Sequence, residues 1–500
     1  MSAGAPRVLV VDLNNFARYP TVAIGYLVAM MRRAGMAVDV FSPLFYGVSG
    51  VAREARPGRL GLLRDRLGYR TAVSTSPLVK RARAWMAERS GSDLAREVDS
   101  VALAFLKRLH DAPPDAVLIS TYLMYLPLCR QIAAACKAEG VPVLIGGPYF
   151  YQVEVAREWI GVDGMAGLVG GEVEHRIPEI VRAMIAREDL TKFPGIWTKD
   201  EAGQPRWTPP PPLKELDSLP FPDYSDFPWG KYPNRIVPVV TGRGCGWGAC
   251  TFCSDVTSTA GRTFRSRSPQ NVLDEIAYHY DKHGAKLFAF VDLKLNSDRA
   301  VWNAILDNMQ KIAPGAQWIA SVHIGSQQPN SLSADDLRAA AAAGMVRVTT
   351  GLESGSQRVL DRMAKGTNLP VTSQALRDAH AAGISVRNTM ILGYPGEEAE
   401  DVLESAEFLE THQDCIERVM LNRFQIMTGT HFHRALERHP ERFAGVTRVT
   451  HNHRLAQVDH HYLPTERRDY RRAVTRLLKA VHHINRRPLS ERAREFEGVM

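Results

Sequence analysis

The chain has 500 residues, 45% of them hydrophobic and 23% charged, with a formal net charge of +8. That length predicts two or three domains, and the balance excludes a disordered or fibrous chain. Apolar runs of only strand length, such as Ala116–Ile119, exclude a membrane-spanning helix, and six cysteines with no leader-like N-terminus predict a cytoplasmic protein without a disulfide framework.

In chain order, Arg7–Asp12 reads as a strand, residues 21–35 as a helix stopped by Gly35, and Val38–Phe41 as a second strand. A basic, mostly helical insertion follows at about 50–111, then a strand at Ala116–Ser120 and a helix at 127–139. The strand Val141–Ile145 ends on Gly146-Gly147. Alternation of this kind predicts a parallel sheet of Rossmann type over residues 1–204, with ligands at the carboxyl ends of its strands. Residues 205–235, with prolines 209–212 in a row, predict a stiff extended linker.

A second strand–helix series begins at Ile236–Val240, and Ser268-Pro269 opens a helix with proline where its missing N–H costs nothing. Further strands are expected at Lys286–Asp292, Gln317–His323, Val346–Leu352, Ser385–Leu392 and Arg418–Met427, with a helix at Ser333–Ala343 ended by Gly344. Six such units predict a partial (β/α)6 barrel over residues 236–430, with chemistry at the carboxyl ends of its strands. Residues 431–500 are expected to be mainly helical. They hold nine of the sixteen histidines, and residues 428–500 carry fifteen Arg plus Lys against eight Asp plus Glu. The basic surplus predicts an anionic or carrier-bound partner, or simply a solvated helical surface.

Directly after the first barrel strand, Cys245, Cys250 and Cys253 fall within nine residues, whereas Cys129, Cys136 and Cys415 stand far from any partner. Three thiolates without a nearby fourth suit an iron–sulfur cluster with one open iron, or a zinc knuckle completed by a distant histidine or Cys415.

This loop resembles that of the radical SAM superfamily, although its spacing is C-x4-C-x2-C rather than the usual C-x3-C-x2-C. Trp247-Gly248 occupy the expansion, as in a subgroup with a Cys-aromatic-Trp-Gly-x-Cys loop. The resemblance implies a [4Fe–4S] cluster on the three cysteines, S-adenosylmethionine chelating the fourth iron, and one-electron cleavage to a 5′-deoxyadenosyl radical. It implies that Phe252 shields the cluster and that Glu353, in Thr350-Gly-Leu-Glu-Ser-Gly-Ser-Gln357, contacts S-adenosylmethionine. Arg387 or Asn388, before Met390-Ile-Leu-Gly-Tyr-Pro-Gly-Glu397, would face the methionine carboxylate. Thr428 stands where relatives carry a proline. Asp292 is the candidate catalytic hydrogen-bonding group. Singly, Asp292, Glu353 and Arg387 also read as satisfied structural polars.

The first half resembles the cobalamin-binding domain that precedes the barrel in one subgroup. Asn14, in Asp12-Leu-Asn-Asn-Phe-Ala17, stands where stand-alone cobalamin domains carry a cobalt-ligating histidine. Ser120, Tyr122, Gly146 and Gly147 would cradle the nucleotide tail. A nucleotide-binding or vestigial domain is the alternative. The resemblance implies a methyltransferase acting on an unactivated carbon of a small molecule or peptide, fed electrons by a flavodoxin or ferredoxin. A cyclase or rearrangement enzyme with the same cofactors is the first rival. A metal-dependent nucleic-acid-binding or regulatory protein is the second, and no membrane partner is expected.

Overall fold

The structure is a computed structural model that describes residues 4–13, 18–48, 56–74, 76, 78–79, 81–82, 98–200, 202–254, 264–325 and 331–499. It is α/β throughout, built on two parallel sheets.

The first sheet comprises β1 (Arg7–Asp12), β2 (Ala37–Phe41), β3 (Ala116–Ser120), β4 (Val143–Gly146), β5 (Met165–Val169), β6 (Ile196–Lys199) and β7 (Pro205–Arg206), in spatial order 2-1-3-4-5-6-7. The first five strands are parallel and the last two antiparallel. Because side chains alternate across a strand, Val8 and Val10 pack with the helices Val22–Arg33 and Ile177–Ile185. Leu9 and Val11 pack on the opposite face with Leu126–Ala138 and Val153–Trp159. The helix Val98–Asp111, expected as part of an insertion, is the crossover from β2 to β3: Val101, Phe105 and Leu109 form a stripe that joins this second core. The strand order reverses between β1 and β3, which opens a crevice at their carboxyl ends.

The second sheet comprises β8 (Ile236–Val239), β11 (Leu287–Phe290), β12 (Gln317–Val322), β13 (Met345–Glu353), β14 (Ser385–Leu392) and β15 (Arg418–Arg423), all parallel and in the order 15-14-13-12-11-8. Between β8 and β11 a short antiparallel ribbon, β9 (Gly242–Arg243) with β10 (Arg265–Ser266), flanks the cysteine loop. The next helix, Pro269–His283, starts as its sequence predicts: the Ser268 side chain accepts from Asn271 N and Pro269 fills the first turn. Near the C-terminus, Phe496 and Val499 pack with Ile236, Ala289, Ile319 and Val346. Arg347 Nη1 donates to the Phe496 carbonyl at 3.1 Å, so the chain end closes the amino-terminal mouth of the barrel.

The stretch 418–427 does not run as one strand. After β15 the chain leaves the barrel, and β16 (Ile426–Met427) joins β17 (Val446–Asn452) and β18 (Gln457–Tyr462) in an antiparallel sheet. Apolar residues continue through Phe424 and Ile426, so the period does not register the change of sheet. Helices His431–Arg438 and Arg468–Arg486 complete the region, and no described helix is long and apolar enough to cross a membrane.

Glu397 ties the last long helix to the barrel, because its buried carboxylate accepts from Gly393 N at 2.6 Å and from the Tyr470 hydroxyl. Burial pushes this carboxyl up to about 7. A raised carboxyl favours the protonated native form. Its contribution to stability is therefore complete below the unfolded pKa of about 4.3 and fades as pH rises through about 7. Glu397→Gln keeps an acceptor and removes the charge. Its stability should rise relative to wild type between about pH 5 and 8, by an amount on the order of 3 kcal/mol at the upper end, with a corresponding rise in melting temperature. A constant offset across that range in thermal melts would refute the assignment.

Candidate active site

The cysteine loop is fastened at both ends. At its start, Asp292 Oδ1 accepts from Thr241 N at 2.9 Å, Thr241 Oγ1 at 2.9 Å and Gly242 N at 2.8 Å. Burial pushes the Asp292 carboxyl up to about 6, against the pull of these hydrogen bonds. In this structure Asp292 holds the segment leaving β8, a contact that the expectation of a catalytic group did not include. At the far end, Thr251 N donates to Met363 O at 2.9 Å, and the Thr251 and Tyr394 hydroxyls lie 2.8 Å apart. Phe252 packs against the cluster of Val359, Met363, Tyr394, Phe424 and Phe432, which places an apolar wall beside the loop.

The extra residue in the cysteine spacing has a structural purpose. Trp247 Nε1 donates to Ala364 O at 2.9 Å, and its ring stacks on His323 at 5.7 Å. A Cβ on Gly366, which has φ +68°, would lie 2.1 Å from that indole. The expansion thus plugs the loop into the turn after the short helix Gln357–Arg362, where only glycine fits beneath the ring.

Around the thiols stand three buried charges. Glu353, at the end of β13, adopts φ +59°, and a register shift separates it from Gly351. Lys365 Nζ reaches Glu353 Oε1 at 3.1 Å, and both residues are buried. Burial lowers the Lys365 ammonium, but Glu353 and Cys250 outweigh it and leave the group above its ordinary value. Lys294 is pushed down to about 8 by burial and by the Lys365 charge, while Glu353, Cys245 and Cys253 pull the other way. Burial raises the Cys250 thiol, and the nearby Lys365 opposes it. Lys294 and Lys365 were not singled out from sequence. Lys365 lies in Met363-Ala-Lys-Gly366, which follows the Glu353 segment in the resemblance, but only the fold shows that it and Lys294 stand by the thiols.

Arg387 and Asn388 part company. Arg387 lies in register with Thr349 of β13 and reaches Met420 Sδ at 3.9 Å, on the inward face that also carries Arg347. Asn388 points the other way, with Val386 and Met390, whose side chains join the core between sheet and helices. Its amide makes no hydrogen bond with the described residues. Of the two candidates, only Arg387 shares the barrel interior with Glu353.

Thr428 is explained by its contacts. Its hydroxyl bonds to Ala456 O at 3.0 Å and to Gln152, whose amide donates to Thr428 O at 3.2 Å. Gln152 belongs to the first half, so this threonine ties the first half to the segment after β16, where a proline would lack both the hydroxyl and the N–H.

In the first half, Ser120, Tyr122, Gly146 and Gly147 line one cavity of about 440 Å³ at the carboxyl ends of β3, β4 and β5, bounded by Leu27 and Ile177. A Cβ on Gly147 would lie 2.1 Å from Thr121 O, so the backbone there admits no side chain. Asn14 lies outside the described residues.

The carboxyl ends of the two sheets face each other across a polar seam. Just past β4, Tyr149 at φ +73° donates its hydroxyl to Ser254 Oγ, next to Cys253, at 3.2 Å. Arg243 pairs with Glu172 at 3.1 Å and Glu174 at 2.7 Å, and Arg265 Nη1 with Glu172 at 2.7 Å. Burial alone would raise the Glu172 carboxyl, but the Arg265 and Arg243 guanidiniums hold it at about 2.

The donor set decides what the loop holds. Among the described residues, the one His/Cys/Asp/Glu group tight enough for a single ion is elsewhere, at His433, Glu437 and His451, so the three thiols are spread more widely than a zinc knuckle requires. Three partly exposed cysteines outside any disulfide, on a loop with Lys294 and Lys365 beside them, suit a larger polynuclear sulfide centre with one open corner. Residues 239–409 match the sequence profile of the Radical SAM superfamily. An uncharacterized methyltransferase of Pyrococcus horikoshii is 30% identical over 323 residues, covering 63% of this chain and 68% of that protein.

The chain belongs to the radical SAM superfamily. It is an enzyme of that superfamily, and the matched stretch contains the cysteine triad. A second relative, the anaerobic magnesium-protoporphyrin IX monomethyl ester cyclase of Rubrivivax gelatinosus, is 27% identical over 287 residues, 55% of this chain and 50% of that protein. The fold as a whole is similar to that of TsrM from Kitasatospora setae, a radical S-adenosylmethionine methyltransferase solved with cobalamin and a [4Fe–4S] cluster. The TM-score is 0.62 at 15% identity, over 90% of this chain and 81% of that one.

Proposed function

We propose that the protein is a cobalamin-dependent radical SAM methyltransferase acting on an unactivated carbon of a small molecule or peptide. The observation that carries this reading is the placement of the 440 Å³ cavity and the cysteine loop at facing strand ends, joined by the Tyr149–Ser254 contact. Bound there, a [4Fe–4S] cluster with S-adenosylmethionine supplies a substrate radical, and cobalamin supplies the methyl group.

The chain's own residues do the holding. Cys245, Cys250 and Cys253 ligate three irons; Phe252 excludes water; Glu353 and Arg387 receive the polar end of S-adenosylmethionine. Ser120, Tyr122, Gly146 and Gly147 take the nucleotide tail of cobalamin. Asn14, where stand-alone cobalamin domains carry histidine, would offer a bound cobalt no imidazole. We assign residues 1–204 to the cobalamin-binding unit, 205–235 to the linker, 236–430 to the barrel and 431–500 to a region over the site. A cytoplasmic setting and a flavodoxin or ferredoxin donor fit an oxygen-sensitive cluster.

The similarity to a cyclase keeps one rival in view, a rearrangement that uses the same cofactors. Anaerobic reconstitution with iron, sulfide and methylcobalamin, followed by mass spectrometry of candidate substrates, separates them. A methyltransferase product gains about fourteen mass units and comes with 5′-deoxyadenosine. 5′-Deoxyadenosine with a product lacking that gain would support the cyclase reading, and a colourless protein making none would refute both.

The cavity assignment has its own test. Gly147→Val drives a side chain into the Thr121 carbonyl. It should weaken cobalamin binding by about 1–3 kcal/mol, roughly ten- to hundredfold, with iron content unchanged. Unaltered corrinoid retention after desalting would remove the cavity from the site.

A further inference from the structure

We propose that His433, Glu437 and His451 form a binding site for one zinc-class divalent cation, distinct from the cysteine loop. Their ligand atoms lie within 4.8 Å of one another. His433 and Glu437 are four residues apart on the helix His431–Arg438, which puts both on one face, and His451 comes to them from β17. The site therefore bridges two elements that no disulfide joins.

The geometry of the pair favours a metal over a hydrogen bond. His433 Nε2 is buried and has no hydrogen-bond partner, although Glu437 Oε1 stands 3.5 Å away. That gap is long for a charged hydrogen bond, which spans about 2.7–2.9 Å. It is close to the edge of a tetrahedron around zinc, roughly 3.4 Å for ligand bonds of about 2.1 Å. A buried ring nitrogen facing a carboxylate at ligand spacing is an orphan that one cation satisfies. Ligation through Nε2 moves the ring proton to Nδ1, so the contact from Gly429 N, already 3.4 Å long, is the bond the site gives up.

The surroundings supply what the first three ligands need. Thr430 Oγ1 caps the helix by accepting from His433 N at 3.1 Å, which fixes the ligand helix at its start. His453 stacks on His451 with ring centres 5.7 Å apart, near enough to stand as a further donor or to orient the ring. Glu154, from the helix Val153–Trp159 of the first half, is among the charges acting on His433. Two imidazoles and one carboxylate, without thiolate, select zinc and its neighbours cobalt and nickel over calcium or magnesium. With three protein ligands the remaining position falls to water. The cation would staple the hairpin of β17 and β18 to the helix that follows β16, close to the first half. The proposal stands whether or not the methyltransferase reading holds.

The test uses the full, tag-free chain, stripped with a chelator, exposed to zinc alone and desalted, with zinc and iron measured together. The expected result is about one zinc per chain, retained in a variant with Cys245, Cys250 and Cys253 all changed to alanine. In that variant, cobalt(II) should give a visible ligand-field spectrum without thiolate charge transfer. Glu437 is half exposed, so Glu437→Gln should fold normally, keep its iron and bind zinc at least about tenfold more weakly. His433→Ala and His451→Ala should do the same. Zinc absent from wild type, zinc lost with the cysteines, or zinc undiminished in all three single variants would each overturn the site. The last of these would mark scattered binding by the histidine-rich surface.

Discussion

Cys250→Ala is expected to abolish iron binding and all S-adenosylmethionine cleavage while leaving the fold in place. Cys245, Cys250 and Cys253 are the three thiols of the loop, and the remaining three lie away from it: Cys129 and Cys136 are buried in the first half, with thiols pushed up to about 12 by burial, and Cys415 precedes the amino end of β15. No substitute ligand is at hand. Reconstituted wild type should carry about four irons per chain and the variant almost none. The fold should survive because the loop is fastened by groups other than sulfur. Asp292 holds its start, Trp247 plugs into Ala364 and Gly366, and Thr251 bonds to Met363. A melting temperature within a few degrees of apo wild type is therefore expected. That pairing of results separates a catalytic cluster from a structural zinc knuckle, whose loss would unfold the segment. Near-normal iron in the variant, or zinc in place of iron in wild type, would sink the assignment.

Lys365→Met should have the largest effect on stability. The substitution removes the partner of a buried carboxyl group without opening much space, and it leaves Glu353 without its ion-pair partner within the barrel. Loss of one member of a buried pair costs roughly 3–5 kcal/mol. In a barrel of this size that corresponds to a fall in melting temperature on the order of 10 °C. Glu353 already sits at φ +59°, a conformation that costs a non-glycine residue about 1–3 kcal/mol and that its salt bridge helps to hold. The double variant Glu353→Gln with Lys365→Met should recover part of the loss. Melts are best made on cluster-free protein, since bound cofactor would add its own stabilisation. A single-variant loss below about 1 kcal/mol would show that Lys294 alone suffices to neutralise Glu353.

Much of the backbone plan was legible in the chain. Strands such as Arg7–Asp12 read directly, because a strand buried on both faces is a near-continuous apolar run and its helices carry a 3.6-residue stripe. The cysteine loop was legible because thiolate spacing is a local property. The role of Asp292 was not: a carboxylate at a strand end looks the same whether it meets a substrate or a neighbouring backbone N–H. Arg387 and Asn388 were inseparable in sequence, since alternation says that adjacent residues face opposite ways but not which way is inward.

The sequence by itself determined the two parallel sheets, the cysteine triad and the glycines that a close approach demands. Only the tertiary structure decided that Lys294 and Lys365 stand beside the thiols, that Thr428 binds the first half, and that His433, Glu437 and His451 converge. The physical reason is range. Periodicity, capping and ligand spacing act over a few residues, whereas a charge or a ring nitrogen acquires its meaning from whatever the fold sets within a few ångströms of it.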